Sequence, residues 1–181
     1  MVSVVCIASS GALGSVYTLV PEPNDLYDLS HSYHYTWGID RPWSDTQEVS
    51  SATLSFSQIR NWRDEFNILY ICLLDDAPLG VIEEADTKFG NEFFLQGTRL
   101  AIYINLPDEP IDLTYEFTDA QIEALNTYAS DGRFALGFDP DCHFYNEGVE
   151  LVVTVPEPET VSLLVVGAGL ALARTRRHLA W

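Results

Sequence analysis

The sequence predicts a mainly β protein: an antiparallel two-sheet β-sandwich of jelly-roll type with one short helix, followed by a C-terminal hydrophobic helix. Three observations support this prediction. Apolar and polar residues alternate with a period of two over most of the central chain, as in strands with one buried face. About eight such segments are separated by clusters of Asp, Asn, Pro and Gly, which is the spacing of a sandwich. One segment carries helix-capping residues instead.

The composition limits the possible partners. The 181 residues include 27 Asp and Glu against 9 Lys and Arg, which gives a formal net charge of −18. Nucleic-acid-binding proteins neutralise phosphates with Lys and Arg, so no nucleic acid is expected as a partner. Cations, above all Ca²⁺, are the expected partners of so many carboxylates. With 47% hydrophobic residues, the chain has enough apolar side chains to bury a core.

Residues 1–20 form a nearly uncharged, apolar segment at the start of the sequence. The apolar run and the small residues after it are typical of a secretory signal peptide, and the small-x-small pattern Ala12-Leu13-Gly14 places the cut after Gly14. Because the segment lacks the basic residues that usually open a signal peptide, a buried strand is the alternative.

The body is predicted to span residues 24–154 and to contain the strands. Alternation in His31–Ile39 and Ala52–Phe56 places the large side chains of each strand on one inward face. The nearly continuous apolar run Asn67–Leu74 is expected near the centre of a sheet. The other predicted strands are Glu92–Leu95, Arg99–Leu106, Leu113–Phe117, Arg133–Phe138 and Gly148–Val155.

One helix is predicted between the strands Leu113–Phe117 and Arg133–Phe138. Thr118 and Gln121 have the spacing of a capping box, in which each residue bonds to the other's backbone N–H. Ile122, Leu125 and Ala129 then share one face, and the Gly after Asp131 ends the helix. We expect this helix to cross from one sheet to the other and to close one end of the sandwich.

The loop after Arg133–Phe138 is the best local candidate for a metal site. It offers hard oxygen ligands from Asp139, Asp141, Asn146 and Glu147, and Ca²⁺ takes six to eight such ligands from flexible loops. The alternative is an Asx-type turn, in which Asp139 and Asp141 accept hydrogen bonds from nearby backbone N–H groups. Asp75 and Asp76 are a second acidic pair that the fold could bring alongside.

The cysteines and histidines do not predict catalysis. Cys142 and His143 lack the second short-spaced pair that zinc sites usually have, and a Cys–His dyad would need a fold that positions its base. Cys72 and Cys142 either pair in an oxidising compartment or remain free thiols, and both alternatives stay open. His31 and His34 are expected on the surface.

The large aromatic residues have two interpretations. Trp37, Trp43, Trp62 and Tyr145 either stack on sugar rings, as in carbohydrate-binding sandwiches, or fill the core. The sequence predicts core packing for most of them. An exposed Trp43 or Trp62 would favour carbohydrate binding.

The C-terminal tail, residues 155–181, has three consecutive parts. The first is Val155-Pro156-Glu157-Pro158, whose two prolines hold the chain extended. An uncharged run, Val161–Ala173, follows and is typical of a membrane helix, although 13 residues span only about 20 Å as a helix. A cluster of arginines then forms the basic stop that the positive-inside rule places in the cytoplasm.

This tail resembles the PEP-CTERM sorting signal of Gram-negative bacteria. The resemblance implies export through a signal peptide, transient anchoring in the inner membrane by a transmembrane helix, and recognition by an exosortase, a membrane cysteine protease. It makes Pro156, Glu157 and Pro158 the sorting motif. It also assigns the anchor residues and the basic stop, which are Val161, Leu163, Leu164, Val165, Val166, Leu170, Leu172 and Arg174, Arg176, Arg177.

Two stretches of the body, "SATLSFSQIRNW…NILYICLLDD" and "DGRFALGFDPDCHFYNEGVELVVTV", look like the β-sandwich bodies of PEP-CTERM proteins. This resemblance supports the predicted fold. The tail and the lack of a catalytic motif give the leading hypothesis, a secreted, non-enzymatic protein of the cell surface or extracellular matrix, associated with exopolysaccharide or biofilm. The alternative is a Ca²⁺-dependent carbohydrate-binding module. A secreted hydrolase is the third hypothesis, and it requires two carboxylates that face each other in a cleft.

Overall fold

Two antiparallel β-sheets and one short helix make up the computed structural model, which describes residues 3–6, 14–87 and 90–157. The predicted mainly β class is confirmed. The predicted C-terminal hydrophobic helix and anchor lie outside the described residues. Within the described ranges, no helix has the length and apolar character needed to cross a membrane.

The elements follow one another along the described chain as eleven strands, one α-helix and one turn of 3₁₀ helix. They are β1 (Ser3–Cys6), β2 (Gly14–Val20), β3 (Tyr33–Asp40), β4 (Ser51–Asn61), β5 (Ile68–Leu74), β6 (Gly80–Ala85), β7 (Gly97–Ile104), β8 (Ile111–Glu116), α1 (Asp119–Tyr128), the 3₁₀ turn (Ala129–Asp131), β9 (Arg133–Pro140), β10 (Phe144–Tyr145) and β11 (Gly148–Pro156).

The strands divide between two sheets. In the first sheet the order is β1-β2-β11-β4, with β8 and the short β10 also paired to β4. In the second sheet the order is β6-β3-β9-β5-β7. The apolar strand β5 lies between β9 and β7, as its continuous hydrophobic run predicts.

The core lies between the facing surfaces of the two sheets. Phe56 on β4 meets Phe138 on β9 edge to face, with ring centroids 6.0 Å apart. Tyr35 and Trp37 on β3 are fully buried beside them, and Leu54 and Phe56 point inward as the alternation predicts. Each such side chain contributes about 1.5–3 kcal/mol to the free energy of unfolding.

Helix α1 connects the two sheets and is capped as predicted. It follows β8 of the first sheet and precedes β9 of the second. The Gln121 Oε1 atom accepts a hydrogen bond from the Thr118 N–H at 2.9 Å, and Gln121 Nε2 donates to the carbonyls of Arg99 and Leu100 on β7. The same side chain therefore caps the helix and docks it on the second sheet.

The predicted strand Glu92–Leu95 is wrong, because these residues form a turn. The Asn91 Oδ1 atom accepts a hydrogen bond from the Phe93 N–H at 2.9 Å, and the Asn91 carbonyl accepts from the Phe94 N–H at 3.1 Å. Leu95 has a φ of 96° and is 92% exposed. The Asn side chain thus replaces strand pairing with a local turn. We call residues 91–96 the covering turn.

Strand β2 shows that part of the N-terminal segment belongs to the first sheet. It pairs with β1 on one side and β11 on the other, and Leu19 is fully buried. A cut after Gly14 would therefore leave Ser15–Val20 in the sheet. The first sheet therefore includes residues before residue 24, the predicted start of the body.

Candidate functional site

The predicted metal loop does not gather its four residues around one point. Asp139 is fully buried and its Oδ2 accepts a hydrogen bond from the Glu92 N–H, 47 residues away in the chain. Asp141 and Glu147 are exposed. Asn146 is buried, and its Nδ2 donates to the Asp25 carbonyl at 2.8 Å. The carboxylates of Asp139, Asp141 and Glu147 are not among the close-set ligand groups of the described chain.

A different group converges on the outer face of the second sheet. His34, Asp86 and Glu92 each offer a ligand atom, and these three atoms all lie within 4.8 Å of one another. We call these residues the outer-face cluster. It is the one group of three or more His, Cys, Asp and Glu ligands that the described ranges contain.

The register of β3 and β6 explains why these residues meet. His34 lies opposite Glu84, so the period of two places both on the face that points away from Tyr35 and the core. Asp86 directly follows β6, and its N–H donates to the Ser32 carbonyl at 3.0 Å. This bond extends the pairing of β3 and β6 to Asp86. Because Asp86 is two residues after Glu84, both residues lie on the same face of the sheet.

The covering turn completes the cluster and buries His34, while Asp86 and Glu92 are half-buried. Its Phe93 packs on the outer face of the second sheet against Cys72, Leu74 and Ala135, which form a small second apolar core. Its Glu92 is held by the hydrogen bond from its N–H to Asp139. Glu92 thus reaches the cluster from the side opposite the sheet.

His34 was expected on the surface, and the structure corrects this expectation. The residue is 8% exposed, because the Phe93 ring lies edge-on against its imidazole with centroids 5.4 Å apart. His34 Nε2 lies 3.3 Å from Glu84 Oε2, and Nδ1 is buried without a hydrogen-bond partner. Alternation identified the face of His34 correctly but not the distant turn that covers it.

Asp139 adds a buried carboxylate beside the cluster. Its pKa is raised to about 6, chiefly by burial; the hydrogen bond from the Glu92 N–H opposes the shift, and the nearby Asp86 and Asp141 charges add to it. Asp139 Oδ1 is buried without a hydrogen-bond partner. The sequence therefore identified Asp139 as a candidate ligand but not its approach to Glu92, 47 residues away along the chain.

The two cysteines of the body do not pair. Cys72 and Cys142 are both free and buried. Cys142 Sγ donates to Glu65 Oε1 at 3.1 Å, and Asn91 Nδ2 lies 3.5 Å from Cys72 Sγ. Burial raises the pKa of each thiol, so both behave as small buried side chains rather than as nucleophiles.

Two of the four candidate aromatic residues belong to the core. Trp37 and Trp43 are buried, whereas Trp62 is 46% and Tyr145 37% exposed. The Arg63 guanidinium lies 4.1 Å from the Trp62 ring centroid. β10 pairs with the end of β4, so Tyr145 and Trp62 lie at the same end of the first sheet.

The predicted sorting motif begins where the last strand ends. Val155 is buried in β11, Pro156 is the final residue of that strand, and both Pro156 and Glu157 are exposed. Pro158, the anchor residues and the basic stop lie outside the described residues.

Comparisons with known proteins do not place the chain in a family. No family model matches it, and no curated protein does. Its fold is similar to part of a latent aurone synthase, a polyphenol oxidase, at 9% identity and a TM-score of 0.44, over 72% of this chain and 26% of that one. A latent apple tyrosinase matches at 8% identity and a TM-score of 0.41, over 67% of this chain and 26% of that one.

A third similar structure contains the CBM22-1 and GH10 modules of an endo-1,4-beta-D-xylanase 10B from Clostridium thermocellum, complexed with xylohexaose. Its identity is 8% and its TM-score 0.24, over 86% of this chain and 24% of that one. The chain thus spans about a quarter of the length of each of these proteins. Likenesses this distant assign it no activity.

Proposed function

We propose that this chain is an exported, non-enzymatic protein of the bacterial cell surface or extracellular matrix, sorted by an exosortase through its C-terminal tail. In this proposal the two sheets form a jelly-roll sandwich, residues 161–173 form a transient anchor helix, and the body associates with exopolysaccharide or biofilm. The observation that carries the proposal is that Pro156, the first residue of the Pro156-Glu157-Pro158 motif, ends the last strand of the described chain.

This position suits processing by a membrane protease. Pro156 closes β11, so a cut in or after the motif leaves every pairing of β11 with β2 and β4 in place. Glu157 is exposed, and the flanking prolines keep the segment extended rather than helical. The protease therefore reaches its substrate without unfolding the body.

Replacement of Glu157 by Ala tests recognition of the motif. In a host that carries an exosortase, we expect the Glu157→Ala protein to keep its tail, so that it migrates at its unprocessed size and stays in the membrane fraction. Glu150→Ala is the matched control, because Glu150 is an exposed glutamate on β11, the strand that precedes Glu157. Removal of the tail at equal rates in both variants would contradict the proposal.

Deletion of residues 161–181 tests the anchor separately. The deletion removes the apolar run and the arginines but leaves all described residues intact. We expect the protein to move from the membrane fraction to the soluble exported fraction. If fractionation is unchanged, the tail is not an anchor.

Carbohydrate binding by the body is a second candidate, supported by the exposed aromatic pair Trp62 and Tyr145. Exposed rings stack on pyranose faces, and stacking needs flat apolar surface at the protein exterior. Both rings already lie near an arginine, Arg63 for Trp62 and Arg60 for Tyr145, which holds each ring in place. A sugar would stack on the face of the Trp62 ring that Arg63 leaves uncovered. The Tyr145 ring is also contacted by the His143 ring, with centroids 4.7 Å apart.

A glycan-array screen of the intact chain, with and without Ca²⁺, tests this candidate. We expect Trp62→Ala to lose binding to any retained polysaccharide. Tyr27→Ala is the control, since Tyr27 is an exposed aromatic residue outside the pair. Equal retention of both variants would exclude the aromatic pair as the binding site, and loss of binding on removal of Ca²⁺ would establish the predicted dependence.

A further inference from the structure

The outer-face cluster has the ligand chemistry of a divalent metal site. It combines one imidazole nitrogen from His34 with carboxylate oxygens from Asp86 and Glu92, all within 4.8 Å of one another. In a tetrahedral zinc site with bonds of about 2.1 Å, the ligand atoms lie about 3.4 Å apart. Metal binding would draw the three atoms together from within 4.8 Å of one another to that spacing.

The hydrogen-bonding state of His34 points to a ligand. Its Nε2 faces Glu84 Oε2 at 3.3 Å, which places the ring proton on Nε2 and leaves the lone pair on Nδ1. Nδ1 is buried and has no hydrogen-bond partner. A metal-bound histidine typically donates its other ring N–H to a carboxylate in this way, because the carboxylate fixes the tautomer and the ring orientation.

Asp139 gives a second, independent indication. It is fully buried beside the cluster, and one of its carboxylate oxygens has no hydrogen-bond partner. Its other oxygen accepts the Glu92 N–H, but burying this carboxylate next to Asp86 is costly unless a cation compensates the charge. A cavity of about 340 Å³ is lined in part by His34, Glu84 and Glu92, so open space adjoins two of the three cluster residues.

We propose that His34, Asp86 and Glu92 bind a divalent transition-metal ion of the Zn²⁺ type, with Asp139 supplying further negative charge beside it. The imidazole ligand favours Zn²⁺ over Ca²⁺ and Mg²⁺, which take oxygen ligands. The ion would link β3, the end of β6 and the covering turn. The proposal concerns the body and does not depend on the sorting tail.

Binding of Zn²⁺ to the metal-stripped intact chain, followed by calorimetry and by thermal unfolding, tests the proposal. We expect one ion per chain and a rise in Tm that Mg²⁺ and Ca²⁺ at matched ionic strength do not reproduce. Asp86→Asn and Glu92→Gln should each weaken Zn²⁺ binding at least tenfold. His34→Gln should weaken Zn²⁺ binding as well. If His34→Gln fails to fold, Asp86→Asn still tests the proposal, because Asp86 is only half-buried.

Two control variants separate this site from incidental zinc binding. His31→Gln changes an exposed histidine three residues before His34, and Asp108→Asn changes an exposed carboxylate in the loop after β7. Both should bind Zn²⁺ as the unaltered chain does. Wild-type affinity in Asp86→Asn and Glu92→Gln, or an equal rise in Tm with Mg²⁺, would overturn the proposal.

Discussion

Glu65 illustrates how single residues of this acidic chain are stabilised by their neighbours. Its carboxylate pairs with the Arg63 guanidinium and accepts hydrogen bonds from Cys142 Sγ and from Trp62 Nε1 at 2.6 Å. These contacts, Arg63 first, lower the pKa of Glu65 from 4.5 to about 2. Asp139, by contrast, has a raised pKa because burial outweighs its hydrogen bond from the Glu92 N–H.

The lowered pKa of Glu65 predicts a pH-dependent stability difference. A carboxyl group with a lower pKa in the folded state stabilises the fold above its unfolded pKa, near 4.5, and loses that contribution as the pH falls through about 2. Glu65→Gln should therefore be less stable than the unaltered chain at pH 7, and the difference should shrink toward pH 2.

Denaturant unfolding at a series of pH values measures this difference. Asp64→Asn is the control, because Asp64 is the exposed neighbouring carboxylate. A Glu65→Gln difference that stays constant from pH 7 to pH 2 would show that the Glu65 charge is not the stabilising element.

At the scale of elements, the covering turn depends on a glycine of β9. A Cβ atom at Gly137 would lie 2.8 Å from Phe93 Cε2 and 2.9 Å from Cδ2, so the missing side chain makes room for the Phe93 ring. The turn, the small second core and the outer-face cluster are thereby linked to one position in the second sheet.

Gly137→Ala should displace Phe93 and with it the covering turn. We expect a loss of about 1–3 kcal/mol in the free energy of unfolding, as for other overpacked sites. Weaker Zn²⁺ binding should accompany it, because Glu92 precedes Phe93. Ser55→Ala is the control, because it changes a strand position on β4 that lies outside this contact. Gly132→Ala would not serve, because the φ of 104° at Gly132 would itself strain an alanine. Unchanged unfolding of Gly137→Ala would contradict the packing argument.

Gln121 predicts a second effect at this scale, on the docking of α1. Gln121→Ala removes the bond that caps the helix and the two bonds to the β7 carbonyls, so buried acceptors lose their donor. We expect a loss of about 1–3 kcal/mol in the free energy of unfolding. Glu123→Ala, at an exposed position of the same helix, should change it little. Equal effects of the two variants would show that Gln121 does not dock the helix.

The sequence predicts those elements whose signals lie within a few neighbouring residues. β4, β5, β11 and α1 are predictable because alternation, a continuous apolar run and a capping box are local patterns. The turn at Glu92–Leu95 was mistaken for a strand because three apolar residues follow one another there. The Asn91 side chain that makes the turn gives only a weak pattern.

The candidate site was less predictable than the fold for the same reason. Alternation places His34 on the outer face, but its approach to Asp86 and Glu92 depends on strand pairing and on a turn far along the chain. Sequence spacing alone therefore favoured ligands close together, Asp139 to Glu147. Of that set, Asp139 lies beside the cluster and accepts a hydrogen bond from the Glu92 N–H.

At the scale of the whole molecule, the net charge of −18 makes the folded state sensitive to salt. Repulsion among the carboxylates opposes folding, and monovalent salt screens it over a Debye length of about 10 Å at 0.1 M. We expect the Tm of the intact chain to rise between 10 and 150 mM NaCl. A Tm that does not change with NaCl would show that the charge is balanced locally, as at Glu65.

The central claim concerns the fate of the whole chain, namely that an exosortase removes its tail at the Pro156-Glu157-Pro158 motif. The intact mass of the exported protein, compared between an exosortase-bearing host and the same host without the exosortase, tests this claim most directly. The account predicts a chain that ends near this motif in the first host and a chain that keeps residues 161–181 in the second. The same mass in both hosts would contradict it.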